Sequence, residues 1–208
     1  VPYTPGTGAS AGHRNPSSAL GEPARMTGGS TSPETVTPFQ PPYLPSQIVS
    51  IGAGGSLVLQ LGSPAIDDPG HAFGVDLIVY GNAFFSDMAF PSGTPGFCAG
   101  EGGLVDVSED GVDWRNVPGA TVDGPMPEMA WMDAGPYDTT PGSVPTDFLR
   151  AMDPSITADD VAGMEYADVV AAYGGAAGGA GIDLATVGLQ SARFVRFRHP
   201  VGAAGSPE

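Results

Sequence analysis

Arg193-Phe194-Val195-Arg196-Phe197-Arg198 is the stretch on which the reading of the fold turns. Side chains along a β-strand point alternately to its two faces, so Val195 and Phe197 share one face and Phe194 falls on the other. The arginines then need solvent or acidic partners. A strand of this kind belongs to an antiparallel sheet packed on a core through one side. Upstream, Val75-Asp76-Leu77-Ile78-Val79-Tyr80 is a nearly continuous apolar run, as expected of a strand in the middle of a sandwich. Leu104 to Ser108 alternates, and Glu109-Asp110-Gly111 is a turn signal ahead of a further strand over Val112 to Val117, which would place Trp114 in the core. Ile48 to Ile51, the glycine-rich Gly52-Ala53-Gly54-Gly55 and Ser56 to Leu61 read together as a hairpin.

Helical signals are confined to one region. Thr157 caps a helix from Ala158 to Met164, with Asp160 in its first turn. A second helix over Glu165 to Tyr173 carries Tyr166, Val169, Val170 and Tyr173 at helical spacing and stops at Gly174-Gly175. The expected architecture is therefore mainly β: a jelly-roll-like antiparallel β-sandwich with long loops and a short helical insertion at about 155–174. Residues 1–30 form an extended N-terminal arm, 31–200 a single sandwich domain and 201–208 a C-terminal tail. The proline-rich Val36 to Ser46 crosses an end of the sandwich, because proline has no N–H to give to a sheet.

With 32 Gly and 22 Pro among 208 residues, turns and ordered loops are abundant, while 41% apolar content suffices for a core. The chain carries 23 acidic residues against seven basic ones, all arginine, for a net charge of −16. Such a field repels phosphate backbones and anionic membrane surfaces, which argues against nucleic acid as a partner. It attracts divalent cations. No segment approaches the roughly 18 apolar residues of a membrane span. Cys98 is the one cysteine, which rules out an internal disulfide and cysteine-based zinc or haem motifs. A first residue that is Val rather than Met fits a mature exported chain that has lost a signal peptide.

Several segments, taken in order, carry a resemblance. They are Ala19-Leu20-Gly21-Glu22-Pro23, Ile48 to Leu57, Phe73 to Phe84, Val105 to Gly111, Pro145-Thr146-Asp147-Phe148 and Gly181 to Leu189. In this order the chain resembles the exported surface proteins of planctomycetes and related bacteria, many of which bear PEP-CTERM sorting signals. The terminal Pro207-Glu208 is similar to the start of such a signal. The V-x-V-S-x-D-G-x-x-W segment at Val105 to Trp114 and the closing Ala192 to Phe197 strand also resemble discoidin-like, galactose-binding-like jelly rolls. The resemblance implies a secreted, extracellular or cell-surface location and a sandwich architecture, and says little about activity.

Hard carboxylate oxygens suit calcium. The candidate ligands are Asp67 and Asp68 in an acidic loop, Asp76 at the head of the apolar run, and Asp183 before the last strand. Asp76 and Asn82 are six residues apart, about 20 Å along an extended strand, so they cannot hold one ion together. Asn82, Trp131 and Tyr137 are candidates for ligand binding; Trp131, set among acidic and proline-rich residues, is expected to be the more exposed of the two tryptophans. Tyr43 and Phe85 are further aromatics for stacking on sugars. The loop from Asn82 to Gly103 is so apolar that it must be covered by neighbours or meet another subunit. None of His13, His71 and His199 lies in an HExxH or HxH pattern, and no GxSxG is present. The expected function is a calcium-stabilised surface module that binds extracellular polysaccharide. A structural subunit contacting copies of itself and a secreted hydrolase are the alternatives.

Overall fold

The computed structural model describes residues 1–28 and 34–201. Residues 202–208, most of the expected C-terminal tail, and residues 29–33 lie outside the described residues. The chain is an antiparallel, mainly β sandwich with a short helical insertion. Its large layer is a five-stranded sheet in the order β1 (Tyr3–Thr4), β2 (Ser56–Ile66), β9 (Ser191–Arg198), β6 (Leu104–Ser108), β7 (Arg115–Asn116). Facing it is a ladder of β3 (Leu77–Val79) and β8 (Ala180–Ile182), and a separate hairpin joins β4 (Phe84–Asp87) to β5 (Pro95–Ala99).

The terminal strand is at the centre of the large sheet, as its two-faced pattern requires. Val195 and Phe197 pair with Val107 and Val105 of β6 and with Leu59 and Leu57 of β2. These side chains form the inner face and pack with Val79, Ile182 and Leu184 in one core. On the outer face, Asp106 of β6 lies in register with Arg196. The β2–β9 register shifts between Gln60 and Ala65, around Pro64, which has no N–H to offer the ladder.

The hairpin expected over residues 48–61 does not form. Ala53 pairs with Thr7, Gly6 N–H donates to Ile51 O at 2.7 Å, and β2 takes β1 and β9 as neighbours. Gly6 and Gly55 explain this: a Cβ on either would run into the other segment's backbone, so their absence lets the N-terminal segment lie against the turn. Residues 1–30, expected as an arm, thus supply the edge strand β1. The run over 75–80 is strand only from Leu77 to Val79, and that over 112–117 only at Arg115–Asn116. Trp114 is not in the core. It stands half-buried on the outer face, with the Arg196 guanidinium 4.4 Å above its ring.

The insertion contains α1 (Ala158–Val161) and α2 (Tyr166–Tyr173). Thr157 N–H and Oγ1 both donate to Asp160 Oδ2, at 2.8 and 2.6 Å, and Gly174 closes α2 in the left-handed conformation. Val161, Val169 and Tyr173 pack with Phe39, Phe85, Met126 and Met129 into a second core. The proline-rich segment turns Phe39 into this core, while its other aromatic, Tyr43, is 46% exposed.

Candidate functional sites

Three carboxylates converge where the two layers end. Asp67 directly follows β2, Asp76 directly precedes β3, and Asp183 directly follows β8. The ladders bring them together: Asp67 N–H donates to Gln190 O and Asp76 N–H to Ile182 O. One oxygen from each of the three lies within 4.8 Å of the others. Oxygens that bind one calcium ion at 2.3–2.6 Å can be no more than about 5 Å apart, so the spacing fits a shared ion.

The Asp76 side chain is fully enclosed. Its Oδ1 accepts from Asp68 N–H at 3.1 Å and lies 2.9 Å from His71 Nδ1; its Oδ2 accepts from Leu184 N–H at 3.0 Å. Burial by itself would raise its pKa, but these donors outweigh burial and hold the carboxyl below the usual carboxylate range. Asp183 Oδ1 accepts from Ala185 N–H and caps a short 3₁₀ turn. Gly74, at φ +70°, passes close over Asp183 Oδ2, where a Cβ would sit 3.3 Å away. Asp68 lies beside the cluster rather than in it. Its carboxylate accepts from Gly70 N–H and faces His71 at 4.0 Å, so its contribution is its backbone N–H.

The expected ligand-binding residues are dispersed. Tyr137 is half-buried between Phe39 and Phe90 and donates to Asp87 Oδ2 at 3.1 Å. Asp87 also accepts from Ala89, Gly93 and Thr94 N–H and so shapes the β4–β5 turn. Trp131 is half-buried, its indole Nε1 has no partner, and the Arg25 guanidinium lies 5.6 Å from its ring. Asn82 lines a cavity of about 220 Å³, together with Tyr43, Asp123, Arg198 and His199. Asp123 ties this rim together by accepting from Asn82 N–H at 3.1 Å and from Glu101 N–H at 2.7 Å. His199 is 5% exposed, and neither ring nitrogen has a partner. Asp123 and His199 escaped the sequence reading. For His199 a signal existed, since the parity that turns Val195 and Phe197 inward also turns His199 inward.

A larger cleft, of about 940 Å³, lies between the inner face of β2 and β9 and the ladder strand β3. Leu57, Leu59 and Leu61 line it from the sheet and Leu77 from β3, with Arg25 and Glu128 also in its wall. Glu128 is 3% exposed and its Oε1 has no partner. Burial pushes its carboxyl up to about 8, against the opposing charge of Arg25. Arg25 donates to Ala130 O, Thr146 O and Glu22 Oε1 through its two terminal nitrogens, and lies 4.2 Å from the Phe148 ring. The only sequence hint to Glu128 is a lone carboxylate within the apolar run Met126 to Ala130.

The fold and these sites define a sandwich with a clustered acidic triad and two adjoining hollows. No protein-family model, curated protein or solved structure matches the chain.

Proposed function

We propose that this protein is a cation-stapled binding module of the cell exterior that takes extracellular polysaccharide at the pocket around Asn82 and His199. The observation that carries the binding reading is the His199 ring, buried in the wall of that pocket with two nitrogens that lack partners. A buried polar group without a partner is costly, and a ligand hydroxyl would satisfy it. Tyr43, 46% exposed on the rim, offers a face for a sugar ring, and Asn82 supplies both a donor and an acceptor. A volume of about 220 Å³ is below the roughly 300–1,000 Å³ of sites for drug-sized ligands, which suits one ring of a longer chain lying across the surface. Calcium is the proposed ion for Asp67, Asp76 and Asp183, on the strength of their hard oxygens and spacing. Its role is to fasten the ends of β2, β3 and β8.

A glycan array tests the reading, run on the wild type with calcium, with chelator, and on His199→Ala and Asn82→Ala. Selective glycan binding that both substitutions weaken at least tenfold supports it. Absence of binding to any glycan, with calcium present, refutes it. The second reading is a subunit that contacts copies of itself. It is favoured by the β4–β5 hairpin, where Phe90 and Phe97 are 73% and 76% exposed. Self-association seen in sedimentation, and abolished by Phe90→Ser with Phe97→Ser, would point to that function. No described helix is long and apolar enough to cross a membrane.

A further inference from the structure

The large cleft exists because the two layers differ in width. The inner face of a five-stranded sheet is covered by a ladder of two strands, which leaves Leu59 and Leu61 of β2 only half-buried. Residues 18–25 line one wall of the opening and are fastened there, Ser18 Oγ donating to Pro45 O and Arg25 to Ala130 O and Thr146 O. The hollow is thus a built feature, and at about 940 Å³ it is at the upper end of the range for small-molecule sites.

Its polar wall narrows what it accepts. Both terminal nitrogens of Arg25 donate to protein carbonyls or Glu22, and Tyr80 Oη donates to Phe148 O at 2.9 Å. Glu128 Oε1, enclosed and without a partner, is what remains to be satisfied. Buried in this way the carboxyl stays neutral at pH 7, and it ionises when a ligand brings a positive charge and hydrogen-bond donors to it. Charge then selects among donors: Glu22, Asp123, Glu128 and Asp147 line the cleft against Arg25 alone, in a chain of net charge −16. That field favours a cationic head.

We infer that the cleft is a site for an amphipathic amine, its alkyl or aryl body lying on Leu57, Leu59, Leu61 and Leu77 and its ammonium group donating to the Glu128 carboxylate. The acidic lining disfavours fatty acids, whose carboxylate would add a further negative charge beside Glu22, Asp123 and Asp147. The leucine floor excludes short polar amines. This site adjoins the polysaccharide pocket and shares Ile48, Val49, Ile51, Asn82, Val122 and Asp123 with it, whereas His199 lines the pocket alone.

Calorimetric titration of the whole chain with decylammonium, decanol and decanoate, each below its micelle concentration, tests the inference. The expected result is one decylammonium per chain, bound at least tenfold tighter than decanol or decanoate. Glu128→Gln is expected to weaken decylammonium at least tenfold and to erase its advantage over decanol. Leu59→Trp, which fills the floor, is expected to abolish uptake while circular dichroism shows the sandwich intact. His199→Ala leaves amine binding unchanged, so failure of the glycan reading and failure of this one are told apart. Decanoate binding as tightly as the amine overturns the inference. So does decylammonium binding indifferent to both Glu128→Gln and Leu59→Trp, the signature of diffuse attraction to an acidic surface.

Discussion

Arg198 Nε donates to Asp106 Oδ2 at 2.6 Å across the β6–β9 ladder, on the face of the sheet turned away from the core. Arg196 Nε reaches the same oxygen at 2.9 Å, and Asn116 Nδ2 donates to Oδ1 at 3.1 Å. Asp106 is 1% exposed, so three of the five strands of the large sheet, β6, β7 and β9, meet at an enclosed, fully bonded carboxylate. Asp106→Ala is expected to cost about 2–4 kcal/mol in urea unfolding. This is near the lower end for a broken buried ion pair, because both arginines retain partial access to water.

The same carboxylate gives a pH dependence. Burial pushes its pKa up, but Arg198, Arg196 and Asn116 together draw it below the usual value. A carboxyl with a lowered folded-state pKa contributes stability that is complete above its unfolded pKa, near 4, and is lost as pH falls through the folded value. Acid titration of wild type against Asp106→Asn is expected to show the difference between them shrinking below about pH 4.

Glu128 has the opposite sign. With a folded-state pKa of about 8, the wild type holds its full stability below the unfolded value near 4.5 and loses part of it as pH rises to about 8. Glu128→Gln removes that loss. At pH 9 the substitution is expected to stabilise the protein by on the order of 5 kcal/mol, at about 1.36 kcal/mol per pKa unit, and by nearly nothing at pH 4. Equal stabilities of the two proteins at pH 9 would contradict the burial of this carboxyl.

Calcium is expected to raise the melting temperature, and chelator to reverse the gain. At a free concentration one hundred times Kd the stabilisation is about 2.7 kcal/mol. Asp183→Asn and Asp67→Asn are each expected to abolish most of it, whereas Asp68→Asn leaves it largely intact because that carboxylate is turned to Gly70 and His71. A melting temperature indifferent to calcium, with no metal in the purified protein, would refute the site.

Gly81→Ala tests the rim of the pocket proposed for polysaccharide. A Cβ at residue 81 would overlap Asp123 Oδ1, the acceptor that holds the Asn82 N–H. A loss of about 1–3 kcal/mol is expected, together with weaker glycan binding.

Alternation and turn chemistry made much of this molecule legible in the sequence. The terminal strand, Leu104 to Ser108 and the Thr157-capped helix pair stand close to where their patterns place them, because each is specified by local spacing. So does the pairing of Asp76 with Asp67 and Asp183, since each abuts a strand end. What escaped was set by long-range approach. Gly6 meeting Gly55 brings the N-terminal segment onto the sheet, and no local pattern encodes that encounter. Trp114 was misplaced for a related reason: its hairpin position was legible, but not the outward face shared with Arg196. Glu128 shares the wall of its cleft with residues 18–25, which carry little periodicity and so held no local signal for it.

The two-residue length of β1 and β7 has a bearing on how the molecule behaves in a crowd. They flank the large sheet, so its outermost strands present little more than a pair of residues each to any passing extended chain. Sheets with long bare margins recruit strands from neighbouring molecules and grow into fibres. Beyond the stretch covered by β1, the margin of β2 is broken by Pro64 and by the register shift between Gln60 and Ala65, which blunt it against strand addition. Copies held together through Phe90 and Phe97, as the second functional reading proposes, would be joined by side chains rather than by a shared backbone ladder, and mild detergent would part them.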